Sequence, residues 1–223
     1  MFDFADRVAV KVCGVTNAED ARACAGAGVD MLGLNFSPLS SRCISRATAS
    51  EIIAAVRPSF AQTKVVGVFV DQKLDLIQSI AADLALDAVQ LHGDESEEYA
   101  RALRASFLIK AFRIGPKYSD SDAASYDCDA LLLDTWSATT PGGTGETFPW
   151  SLAAALQPRV RRLILAGGLT EGNVAGAVRE VRPFAVDVCS GVEEGPGRKD
   201  YAKVSRFVAA VRAAEEVSAK AHT

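Results

Sequence analysis

The chain is expected to fold as a single (β/α)8 TIM barrel of parallel strands. Three observations point there. Eight short, nearly continuous apolar runs are spread along 223 residues. Segments of helical periodicity separate them. Glycine-rich loops gather after the last three runs. Strands covered on both faces read as unbroken apolar runs, and strict alternation with helices makes the sheet parallel. Eight such units close into a barrel, and a chain of this length suits one. No linker or shift in composition divides residues 1–223, and about 217–223 are expected to fray as a tail. An open doubly wound sheet is the alternative. It would need a Gly-x-Gly-x-x-Gly after the first strand, where the chain has none.

The elements follow in order. The β-branched run 8–13 is the first strand, and Gly14 breaks it. Asn17, with Asp20 three residues on, caps a helix over 17–27 that stops at Gly28. A strand at 31–36 precedes a helix over 48–57, which ends before Pro58. The valine-rich run 64–70 is the third strand. Helices over 73–84 and 95–105, each with an apolar face at 3.6-residue spacing, flank a strand at 87–91. A strand at 108–113 leads to a short helix over 118–126. The leucine run 130–134 is the sixth strand, followed by a short helix over 150–156. Strands at 162–166 and 184–189 frame a helix over 171–181, and a last helix covers 201–214.

Composition narrows the function. Hydrophobic residues make up 49% of the chain, enough for a large core, and the net charge is −4. With no long basic run, neither nucleic acid nor an anionic membrane is expected as partner. No apolar stretch reaches spanning length, and the N-terminus lacks the pattern of a signal peptide. Five cysteines, an odd number without a Cys-x-x-Cys pair, argue against a disulfide framework or a zinc ribbon. Reduced thiols in a cytoplasmic enzyme fit better. His92 and His222 make no metal cluster.

In a parallel barrel all strand ends meet at one mouth. Those ends carry Cys13, Asn35, Asp71, Gln90 with His92, Arg113, Asp134, Gly167-Gly168 and Cys189-Ser190-Gly191. Free cysteines usually pack as small hydrophobes, so Cys13 is either that or a reactive thiol. Asp134 closes a run of leucines, a costly place for a carboxylate without a purpose. If it shares an inward face with Leu132, partial desolvation suits it to donate protons. Capping the next loop is its alternative. The glycines of Gly142-Gly143-Thr144-Gly145, Gly167-Gly168 and Ser190-Gly191 let backbone N–H groups approach an anion, helped by a short helix starting near Ser190. Arg198 and Lys199 could neutralise charge near that site, but an exposed pair following a loop is more often simply solvated. A thiol base facing a carboxylic acid, with phosphate beside them, suits isomerisation of a phosphosugar without metal or organic cofactor. By alternation Lys11 and Asp187 also point inward, one layer below Cys13, where a buried cation favours a thiolate.

The chain resembles the phosphoribosylanthranilate isomerases, (β/α)8 enzymes of tryptophan biosynthesis. The likeness runs through Lys11-Val12-Cys13-Gly14-Val15-Thr16, residues 36–42, Gln90-Leu91-His92-Gly93 and Leu133-Asp134-Thr135. It continues in Gly142-Gly143-Thr144-Gly145 with Phe148 and Trp150, in Leu165-Ala166-Gly167-Gly168-Leu169, and in Val186-Asp187-Val188-Cys189-Ser190-Gly191-Val192-Glu193. It implies an Amadori rearrangement of a phosphoribosyl anthranilate, with Asp134 as general acid and Cys13 as general base. It also implies Arg42 on the anthranilate carboxylate, with Arg46 as rival, and Gln90 and Asp187 among the residues that meet substrate. Gly143, Thr144, Gly145, Gly167, Gly168, Ser190 and Gly191 would hold phosphate. The expected partner is a small phosphosugar–anthranilate substrate, and the enzyme a monomer or homodimer. Cys189 stands where such enzymes often have serine, and Leu39 and Ser41 replace a common lysine and proline. Glu146 should point outward. A related indole-glycerol-phosphate synthase would need a lysine and two glutamates at the mouth, which are missing. A non-catalytic phosphosugar binder would not need both Cys13 and Asp134. A second phosphosugar substrate would call for an acid pair, and the first strand ends in cysteine.

Overall fold

Strands buried on both faces need helices outside them and compact side chains within, and the chain supplies both. The computed structural model describes residues 2, 4, 7–136 and 147–220, the last four by backbone alone. The elements run β1 (Ala9–Cys13), α1 (Ala18–Gly26), β2 (Met31–Asn35), α2 (Arg46–Val56), β3 (Lys64–Phe69), α3 (Leu74–Asp83), β4 (Ala88–Leu91) and α4 (Glu97–Ala102). They continue with β5 (Leu108–Ile114), α5 (Asp120–Ser125), β6 (Ala130–Thr135), α6 (Trp150–Leu156), β7 (Leu163–Leu165), α7 (Val174–Val181) and β8 (Ala185–Val188). A small hairpin of β9 (Glu193–Gly195) and β10 (Arg198–Lys199) precedes α8 (Tyr201–Lys220). Strands β1 to β8 form a closed barrel in sequence order, sealed by parallel pairing of β1 with β8 that sets Lys11 opposite Asp187.

Two apolar layers result. Ala9, Met31, Val66, Ile109, Leu132 and Ile164 fill the barrel interior. A larger layer, including Leu32, Ile52, Phe69, Leu133 and Phe207, packs the strands against the helices. Leu132 belongs to the interior, so the alternation of β6 turns Asp134 inward as expected. Among the described residues no helix is long and apolar enough to cross a membrane. The tail expected at 217–223 and His222 fall outside the residues described in full.

All eight expected strands are present, with ends shifted by a residue or so. The helices differ more, for local reasons. Helix α2 starts earlier than expected because Ser45 Oγ accepts from Thr48 N at 3.0 Å and caps it. Helix α4 is shorter than 95–105. Glu95 turns back to accept from Gly93 N and Lys110 Nζ, and Ser96 takes the cap position. Helix α7 starts at Val174 because Asn173 folds onto the preceding loop, accepting from Thr170 N and donating to Gly168 O. The cap expected at Asn17 is present, its side chain accepting from Asp20 N at 2.8 Å. Asn17→Ala is expected to cost about 1 kcal/mol, measured as a lower urea midpoint with unchanged slope. An unaltered midpoint would show that the cap is idle.

Candidate active site

Cys13, Asp134, His92, Arg42 and Asp187 open onto one cavity at the C-terminal ends of the strands. The glycine loops at Gly167-Gly168 and Ser190-Gly191 form another part of its wall. Gly143, Thr144 and Gly145, expected beside them, lie outside the described residues, as does Glu146.

Cys13 ends β1 directly above a buried ion pair. Lys11 is fully buried, and its Nζ donates to Asp187 Oδ2 at 2.9 Å. This is the pairing expected from alternation. Gly33 on β2 makes room for it, since a β-carbon there would sit 2.9 Å from Cys13 Sγ and 3.0 Å from Lys11 Nζ. The Cys13 thiol is held well below its ordinary pKa. The neighbouring Cys189 thiol does most, Lys11 and Lys199 add positive potential, and burial opposes them. Cys189 is pushed up by the same contact and by burial. Burial pushes Asp187 up to about 7 against the pull of Lys11, and its Oδ1 is buried without a hydrogen-bond partner.

Asp134 faces this group from β6. Its Oδ1 accepts from Thr135 N at 2.8 Å, and its Oδ2 is 3.2 Å from His92 Nε2. Gln90 was expected at the mouth, yet it is fully buried and lines no part of the cavity. Its Nε2 lies 2.8 Å from His92 Nδ1. That contact holds the ring with Nε2 facing Asp134. The alternation of β4 thus makes His92, two residues on, the group that reaches the cavity.

Arg42 and its rival Arg46 separate cleanly. Arg46 pairs with Asp83 at 2.6 Å and Ser79 on the outside of α3, away from the cavity. Arg42 lies across the mouth, its Nε and Nη2 donating to the two oxygens of Glu193 at 2.8 and 2.6 Å. That occupies one edge of the guanidinium, while on the Nη1–Nη2 edge Nη1 makes only a long 3.5 Å contact to Ser41 Oγ, so this edge can take a second carboxylate. Burial alone would raise Glu193, but Arg42 and Lys199 hold its carboxyl below the usual range.

Lys199 corrects the sequence reading. The pair Arg198–Lys199 is not solvated as a unit. Arg198 is exposed, whereas the Lys199 side chain is wholly buried by the β9–β10 hairpin. Its Nζ donates to Cys13 O at 2.6 Å, to Glu193 Oε1 at 2.8 Å and to Cys189 O at 3.4 Å. Sequence reasoning missed the parts played by Lys199, Glu193 and His92. Only His92 carried a local signal, its position two residues beyond Gln90.

The expected short helix at Ser190 is a single 3-10 turn, Ser190–Val192. A β-carbon at Gly191 would run into the Leu169 carbonyl oxygen, so only glycine lets the two loops approach this closely. Among the described residues no group of three or more His, Cys, Asp or Glu could hold a metal ion.

A family model described as N-(5'phosphoribosyl)anthranilate (PRA) isomerase matches residues 10–210. The chain is 48% identical over 200 residues to the N-(5'-phosphoribosyl)anthranilate isomerase of Geobacter sp. strain M21, covering 90% of this chain and 96% of that one. The crystal structure of phosphoribosyl anthranilate isomerase from Thermotoga maritima matches with a TM-score of 0.85 at 40% identity, covering 92% of this chain and 99% of that chain. A phosphoribosyl anthranilate isomerase crystallised with reduced 1-(o-carboxyphenylamino)-1-deoxyribulose 5-phosphate matches with a TM-score of 0.80 at 38% identity, again over 92% and 99% of the two chains.

Proposed function

The chain belongs to the N-(5'-phosphoribosyl)anthranilate isomerase family, and from that premise we propose that it performs an Amadori rearrangement in tryptophan biosynthesis. The substrate is N-(5-phospho-β-D-ribosyl)anthranilate and the product 1-(2-carboxyphenylamino)-1-deoxy-D-ribulose 5-phosphate. The observation that carries the reading is a thiol biased toward its anion and a carboxyl group opening onto the same cavity.

Asp134 is the general acid. It gives its proton to the ribose ring oxygen, the C1–O bond breaks, and the ring opens to a protonated Schiff base. Cys13 is the general base. Its thiolate takes the C2 proton, and the electron pair of that C–H bond neutralises the iminium to give an enolamine. Tautomerisation then yields the ketose. Each positioned proton transfer contributes about 10²- to 10⁴-fold. Lys11 keeps the thiolate available through its charge. His92 orients Asp134 through Nε2.

The Nη1–Nη2 edge of Arg42 suits the planar anthranilate carboxylate. The unpartnered Asp187 Oδ1 is placed to accept from a sugar hydroxyl, which would explain a buried oxygen otherwise left without a donor. Backbone amides at Gly167, Gly168, Ser190 and Gly191, with Gly143, Thr144 and Gly145, hold the phosphate. No cofactor takes part in this scheme.

The direct test follows the fluorescence of phosphoribosylanthranilate generated in situ from anthranilate. Purified protein is expected to quench it with saturation kinetics while the ketose accumulates. A signal that decays no faster than the spontaneous rate would refute the assignment.

A further inference from the structure

Cys189 lies at the mouth beside Cys13, and the acid–base chemistry makes no use of its sulfur. We propose that Cys13 and Cys189 are a peroxide-responsive dithiol that closes into a disulfide across the seam between β1 and β8.

Register, facing and proximity all favour the bond. The ladder between β1 and β8 ends with Val12 opposite Val188, and Cys13 and Cys189 each follow that last pair. Two residues earlier on each strand, Lys11 and Asp187 meet at 2.9 Å, which shows that these side chains share a face. Neighbouring strands run about 4.8 Å apart, inside the Cα separation of about 4.4–6.8 Å that a disulfide spans. Lys199 Nζ donates to the carbonyl oxygens of both cysteines and clips the two strand ends together. The position of a β-carbon on Gly14 would lie 3.1 Å from Cys189 Sγ, so that sulfur lies against the end of β1. The Cys189 Sγ lies 3.9 Å from Glu193 Oε1, and both cysteines line the cavity, where a small oxidant can reach them.

The chemistry balances with a hydroperoxide as oxidant. The Cys13 thiolate attacks one peroxide oxygen and the O–O bond breaks. With hydrogen peroxide, the other oxygen leaves as water after taking a proton. Cys13 is then a sulfenic acid. Cys189, losing its proton, attacks that sulfur, the S–O bond breaks, and a second water leaves. Two thiols are oxidised by two electrons, one peroxide is reduced to two waters, and one S–S bond forms. The lowered pKa of Cys13 makes it the attacking sulfur, and the raised one of Cys189 leaves it as the resolving thiol.

Loss of isomerase activity on oxidation rests on the role proposed for Cys13, whereas the cross-link does not, and the two are read separately. Reduced protein is treated with hydrogen peroxide, alkylated, and digested with trypsin without reductant. Peptides 12–22 and 180–198 carry one cysteine each, Cys13 and Cys189. They are expected to appear joined and two hydrogens lighter than their sum. Activity is expected to fall about tenfold or more in step with the cross-link and to return with dithiothreitol. In Cys189→Ser the cross-link is absent. Prolonged peroxide then carries Cys13 to the sulfinic acid, and dithiothreitol no longer restores that variant to its own untreated rate. Wild-type peptides that stay unlinked while Cys13 is oxidised overturn the dithiol. A complete cross-link with undiminished turnover leaves the dithiol standing and removes Cys13 as base.

Discussion

Cys13→Ala is expected to lower kcat by about a thousandfold while leaving the affinity for a reduced product analogue within about tenfold. The thiolate acts on a proton that moves only in the transition state, so its loss falls on kcat rather than on binding. Asp134→Asn is expected to behave alike. Asparagine can still pair with His92 Nε2, which preserves the geometry around the 3.2 Å contact, but it has no acidic proton to give. The two groups serve successive steps, so the double variant should lose far less than the product of the single losses once a common step limits both. Stopped-flow or steady-state fluorescence, with calorimetry for the analogue, decides the matter. Full turnover in either single variant would remove that residue from the acid–base pair.

Lys11→Met has the second large effect, and it divides into two parts. Removing one partner of a buried ion pair leaves Asp187 uncompensated, at a cost of about 3–5 kcal/mol. Asp187 already lies near 7 because of burial, so it meets the loss of its cation by taking up a proton. The double variant Lys11→Met with Asp187→Asn should recover most of the stability, since no lone charge is then buried. The second part concerns the thiol. Lys11 favours the anionic form of Cys13, so without it a higher pH is needed to form the thiolate. The acidic limb of kcat/KM should therefore move to higher pH in both variants, with the ultraviolet absorbance of the thiolate following it. A thiol that titrates as in wild type would leave Lys11 a purely structural role.

Much of this molecule is visible in its local sequence. Buried parallel strands announce themselves as apolar runs because both faces are covered, and eight of them are found where those runs lie. Alternation within a strand then carries Cys13, Asp134, Lys11 and Asp187 to the interior. Glu95 was harder to read. A glutamate before a helix normally joins its first turn, but here Lys110, fifteen residues away, draws it out. Arg42 and Arg46 are chemically alike and only a turn apart in sequence, and what separates them is that one finds Glu193 and the other Asp83. Lys199 follows an exposed arginine and looks like its neighbour until the hairpin folds it beneath the mouth.

The barrel and several of the groups at its mouth, Cys13 and Asp134 among them but not Gln90, were determined by sequence alone, because strand periodicity and the position of a strand's C-terminal end are local properties of the chain. Which of those groups touch was decided by the tertiary structure. The approach of the Cys189 sulfur to the end of β1, the Lys199 clip, the 3.2 Å approach of His92 to Asp134 and the pairing of Arg42 with Glu193 each join residues from different strands or loops. Their geometry depends on inter-strand register and loop path, and those follow from closing the whole barrel rather than from any one segment of it.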